Sequence, residues 1–160
     1  MKIIKTTTST AGRPAALDLT ARPPRSPRVR LGGYALLPRM LDKGRASIAG
    51  LNGEYHYNCP LDQHFVKFVG IDPEALKAEL AKGLADGDIL SWIDAHARRK
   101  REPWEIASWS AHQESRVPSD VETREYFTGL LAKLSKTRED IFTWFDLLDL
   151  DDYVSFGGTA

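Results

Sequence analysis

Proline and glycine interrupt this chain so often that no regular element can run far. Between the stops, apolar residues recur at spacings of three and four, the helical period, rather than two. Leu36, Leu37, Met40, Leu41, Ile48 and Leu51 fall on one such stripe, with Pro38 tolerated in a first turn and Gly50 and Gly53 as stops. A second helix is expected from Pro60, turning Leu61, Phe65, Phe68 and Val69 inward and closing at Gly70. Asp72-Pro73 pairs an N-cap with a first-turn proline and opens Pro73–Lys82, which Gly83 ends. Asp86 to Arg99 follows, with Ile89, Leu90, Trp92, Ile93 and Ala97 as its apolar set, and then Pro103 to about Glu114. Ser119-Asp120-Val121-Glu122 reads as a capping box, and Thr137-Arg138-Glu139-Asp140 repeats the idea ahead of Ile141 and Phe142. No alternating strand pattern of useful length occurs. The expected fold is all-α, a compact bundle of six or seven short helices.

Residues 1–33 break that pattern. Pro14, Pro23, Pro24 and Pro27 fix φ and remove donors, which opposes both helix and central strand, so an extended, basic, Pro-rich arm is expected there. A helical domain over 34–152 and a flexible tail over 153–160 complete the plan. The chain has 160 residues, 42% hydrophobic and 28% charged, enough for one real core. The longest apolar stretch, Tyr34 to Leu37, is far too short to span a membrane, and no apolar region follows the basic start as a secretory signal requires. Cys59 is the single cysteine, which excludes an intrachain disulfide and makes a reducing cytoplasm the simplest home.

The net charge is zero but unevenly spread. Residues 1–50 carry ten basic and two acidic side chains, a surplus of eight, balanced by an equal acidic surplus in the remainder. Glu139 to Asp152 holds six carboxylates and no Lys or Arg. Either the basic part lies against the acidic part of the same fold, or it is an arm for a polyanion. A nucleic-acid domain would carry a net positive charge, so the first reading is favoured.

The densest chemistry lies in Glu54-Tyr55-His56-Tyr57-Asn58-Cys59-Pro60-Leu61-Asp62-Gln63-His64. Four readings compete for it. His56, Cys59 and His64, with Asp62, are ligand types for a borderline metal, but their spacing matches no known site and no metal is assigned. Cys59 before a helix, with His56 near it, could act as a nucleophile. Asn58 could simply cap the helix while His56, Tyr55 and Tyr57 make buried hydrogen bonds. The segment could also line a pocket for an organic ligand. A second group, Arg39-Met40-Leu41-Asp42-Lys43-Gly44-Arg45, places Asp42 and Arg45 three apart and Arg39 and Lys43 four apart. These are either solvated ion pairs or charges turned into a cavity.

Several runs are jointly specific: Arg25-Ser26-Pro27-Arg28, Leu31-Gly32-Gly33, Pro38-Arg39-Met40-Leu41-Asp42-Lys43, Tyr55 through Asp62, and Trp144-Phe145-Asp146-Leu147-Leu148-Asp149. Together they resemble a bacterial family catalogued as domain of unknown function 5069, over nearly the whole chain from about Leu17. The resemblance implies a small helical cytoplasmic protein and brings no activity, cofactor or catalytic residue with it.

The functional expectation is therefore a small-molecule-binding helical protein with a pocket between helix 38–49 and loop 54–64, for a ligand that includes anions. His56 and Asp42 are the candidates for acid–base work, and Arg39 or Arg45 for holding an anion. Tyr55, Asn58 and Asp62 would orient the ligand. The alternative is a protein–protein or self-association module without catalysis, the basic arm of one copy meeting the acidic end of another.

Overall fold

The computed structural model describes residues 15–160. Seven helices follow in order: α1 (Leu37–Ala49), α2 (Asp62–Val69), α3 (Pro73–Ala81), α4 (Asp86–His96), α5 (Pro103–Ser115), α6 (Val121–Leu134) and α7 (Trp144–Ser155). Among the described residues there is no strand, only an isolated antiparallel bridge between Leu31 and Tyr34. None of these helices is long and apolar enough to cross a membrane. The fold is all-α.

Helix α1 is the axle. Every residue from Leu37 to Ala46 is buried, including Arg39, Asp42, Lys43 and Arg45, so it is wrapped on all sides rather than on one. Gly44 lets α3 and the Tyr57 ring approach, since a Cβ there would stand 2.6 Å from Leu80 Cδ1 and 3.1 Å from Tyr57 Cε2. The main core gathers Leu37, Met40 and Leu41 with Phe65, Val69, Leu76, Leu80, Ile89 and Ile93 from α2, α3 and α4. A second core forms where Phe127 of α6 meets Leu147 and Leu150 of α7. Ala35, Leu36 and Phe145 form a third cluster, which shares Trp109 with the main core. Leu36 takes φ of 69°, a left-handed conformation that strains a bulky residue. Its burial and the bond from its N–H to Pro27 O, 2.9 Å, hold it there.

The arm from residue 15 is pinned rather than loose. Leu19 is buried and its N–H donates to Leu51 O at 2.8 Å. Arg28 pairs with Asp146 and Asp149, and Arg30 with Glu114, so the basic amino-terminal part does lie against acidic helices of the same chain. The part of the arm over residues 1–14 lies outside the described residues.

Helix boundaries differ from expectation where the capping chemistry was shared out differently. α2 starts at Asp62, two residues after Pro60, and Asn58 does not cap it: the N-cap is Leu61, with no side-chain bond. α4 stops at His96 rather than Arg99 because Ala97 turns to an extended ψ of 130°. In α6 the cap is Asp120 and its reciprocal partner Thr123, not Ser119 and Glu122. Thr137 opens no helix; Ser135 Oγ accepts from the Thr137 and Arg138 amides, and the box that starts α7 is Thr143 with Asp146. α7 then runs to Ser155, three residues past the expected end of the domain.

Candidate functional site

A charged side chain in the middle of a core is tolerated only when paired and hydrogen-bonded. α1 meets that condition with partners far away in sequence. Arg39 Nη1 donates to Asp152 Oδ2 at 2.6 Å and Nη2 to Oδ1 at 3.2 Å, tying α1 to α7. Lys43 Nζ donates to Asp62 Oδ1 at 2.8 Å, tying α1 to the first residue of α2. Arg45 reaches Asp86 at 2.7 Å, at the start of α4. Asp42 is gripped by Arg25, whose Nη2 and Nε donate to its two oxygens at 2.9 Å each. The expected Asp42–Arg45 pair is not formed, and these charges are not a solvated face.

The pairs split into two places. Arg39 and Lys43, one turn apart on α1, form the floor of a cleft of about 600 Å³ between α1, the 53–61 loop and α7. Tyr55, His56 and Cys59 stand around it, and Leu19, Leu61, Leu148 and Phe156 supply apolar wall. Tyr55 OH donates to Asp152 Oδ1 at 2.7 Å, and its ring lies under the Arg39 guanidinium at 5.5 Å. Burial, then that bond to Asp152, pushes the Tyr55 hydroxyl well above the usual phenol range. Lys43 Nζ also stands 3.2 Å from Cys59 Sγ. His56 is exposed at the rim. Asp151 lines the same cleft, and burial, followed by the charge of Asp152, raises its pKa; Glu54 adds to the effect.

Asp42 and Arg45 line a different cavity, of about 500 Å³, with Arg25, Asp86, Ala15 and Leu17. Arg45 Nε there is the one buried side-chain nitrogen or oxygen without a partner among the described residues. The structure thus brings Arg39, Tyr55 and His56 together as expected of one pocket, and does not bring Asp42 or Arg45 to them. Asp62 lies beneath the floor, fully buried, where Oδ2 accepts from the Asn58 N–H at 2.9 Å. Asn58 sits at φ of 59° and its side-chain oxygen accepts from Gln63 Nε2, so it shapes the loop. His64 points elsewhere: its Nε2 meets Arg116 Nη1 at 3.1 Å, and burial, then the Arg116 charge, lowers its pKa. Among the described residues no three of His, Cys, Asp and Glu gather as a metal site would need.

Sequence reasoning named the segments that carry Lys43 and Glu54 without giving either residue a role, and missed Asp151 as a lining group and Asp152 as the anchor of the floor. The acidic run ending at Asp152 was visible, but nothing local signals that one of its members turns inward to α1.

A family model described as a domain of unknown function (DUF5069) matches residues 21–154, which takes in α1 to α6 and all but the last residue of α7. No curated protein matches the chain.

Proposed function

Since this chain belongs to the DUF5069 family, whose description names no activity, we propose a role from its own geometry: the cleft over Arg39 and Lys43 binds a small organic molecule. The observation that supports this reading is the floor itself, two buried cations held by Asp152 and Asp62 beneath a half-apolar hollow. A volume of about 600 Å³ suits a metabolite-sized ligand, and mixed apolar walls with a few fixed polar groups are what such sites use. Preformed ion pairs also hold donors in place before a ligand arrives, which lowers the ordering cost of binding.

Charge narrows the ligand. Each floor cation is already matched by its own carboxylate, while Glu54 and Asp151 line the cleft without an ion-pair partner among the described residues. The local sum is negative, so a ligand with an apolar body and a neutral or cationic end fits better than an anion.

The test is a thermal-shift screen with matched amine, alcohol and carboxylate fragments. Amines or alcohols should raise the melting temperature of the wild type and leave Leu148→Trp, which fills the cleft, unmoved. Stabilisation by carboxylates alone would reverse the charge argument. Equal stabilisation of both proteins would place binding outside the cleft.

A further inference from the structure

Helix α6 is the least covered element of the fold. It packs chiefly on α7, and of its 14 residues only Phe127 is fully buried. Opposite Phe127 on the helix, Val121, Glu125, Thr128, Gly129 and Ala132 share an exposed side, and a Cβ on Gly129 would meet nothing within 4 Å. Large apolar groups flank this stripe: Val117 is 52% exposed, Val121 73%, Tyr126 64% and Phe142 67%. Val117, Tyr126 and Phe142 are brought to one side of α6, because Trp144 N–H bonds to Arg116 O and the Tyr126 ring lies 6.4 Å from that of Trp144, while Val121 stands on the other side of the stripe. Their open surface comes to roughly 500 Å², at the upper end of what an isolated monomer shows. With a polar rim it approaches the ~800 Å² per partner of a stable interface.

The charges say what covers it. Glu122 and Glu125 stand on the first half of α6 and Lys133 in its last turn, all exposed and none in an ion pair among the described residues. A polyanion or an anionic lipid surface would meet repulsion as well as attraction there. A second α6 laid antiparallel would not. With the two-fold axis at Gly129, Glu125 faces Lys133 of the partner subunit, and the helix dipoles oppose. The small side chains at Thr128, Gly129 and Ala132 let the backbones come close.

We propose that this face of α6 is the seam of a homodimer formed by two antiparallel copies of the helix. The seam is independent of the cleft, and it differs from a charge-driven pairing of arm and acidic end, since Arg28 and Arg30 of the arm are satisfied within the chain.

Light scattering after size exclusion tests it on the full chain. The wild type should elute at twice 17.9 kDa and Gly129→Arg at 17.9 kDa, with helix content retained. Glu125→Lys and Lys133→Glu should each weaken the dimer about tenfold or more, since two symmetry-related pairs become repulsive. The double variant should recover it. A wild type that stays monomeric at every soluble concentration overturns the proposal. So does a dimer that survives Gly129→Arg, or a double variant no tighter than the singles.

Discussion

Asp152→Asn isolates the charge that holds the cleft floor. The amide keeps the shape of the carboxylate, but it leaves the Arg39 guanidinium, 4% exposed, without its counterion and offers one acceptor oxygen where two served. Arg39 would keep its bond to Arg25 O at 3.1 Å, and Tyr55 OH would compete for the remaining acceptor. Breaking a buried ion pair from one side costs about 3–5 kcal/mol, because an uncompensated charge stays in the core. Against a domain stability of about 5–15 kcal/mol that is a large fraction, and it corresponds to roughly 10–15 °C in melting temperature for a chain of this size. Urea denaturation followed by circular dichroism reads it directly. The control is Asp140→Asn, whose partner Arg138 lies on the surface, and which should leave the midpoint where it was. A second arm, Arg39→Met with Asp152→Leu, should recover most of the loss, since a pair of apolar groups needs no solvation. If Asp152→Asn moves the urea midpoint no more than Asp140→Asn does, the floor pair is solvated like any surface pair and the preformed-floor argument fails.

Other perturbations have equally definite signs. Gly44→Ala should destabilise by about 1–3 kcal/mol in urea titrations, because the added methyl meets buried Leu80 and Tyr57, and this exceeds the helix-propensity gain of at most ~1 kcal/mol; a stabilised variant would mean the α1–α3 contact is slack. Thr143→Ala should cost about 1 kcal/mol by removing the α7 cap, whereas Thr137→Ala should be silent; equal effects would restore Thr137 as a start signal. His64 has a folded pKa below its ordinary 6.5, through burial and then Arg116, so its contribution is complete above that value and is lost as pH falls through the folded pKa. Urea midpoints at pH 7.5 and 5.5 should therefore differ more for the wild type than for His64→Asn; identical differences would show that His64 is not the titrating group.

The charged residues of α1 show where reading the chain stops. Arg39, Asp42, Lys43 and Arg45 are at helical spacing, and their neighbours in sequence invite local pairing, yet their partners sit at Asp152, Arg25, Asp62 and Asp86. Asp42 and His56 both lie beside apolar stripes in the sequence, but Asp42 stands a quarter turn round α1 from Lys43, and Arg25 meets it there in another cavity. Likewise, Asn58 before Pro60 looked like a cap, and only the left-handed turn at Asn58 and the reach of Asp62 into the floor show otherwise.

What this chain determines by itself is its local grammar: six or seven short helices, most of them begun or ended by groups that act within three or four residues, such as Asp72 before Pro73 and Gly70 after Val69. Such signals are short-range hydrogen bonds and steric limits on φ, so they are legible without a fold. Which charges become the cleft floor, which pair with Asp86 in the second cavity, and which face of α6 stays bare were decided by tertiary packing. Those outcomes depend on ion pairs such as Arg39–Asp152, 113 residues apart, and a buried charge takes whichever partner the packed helices bring to it.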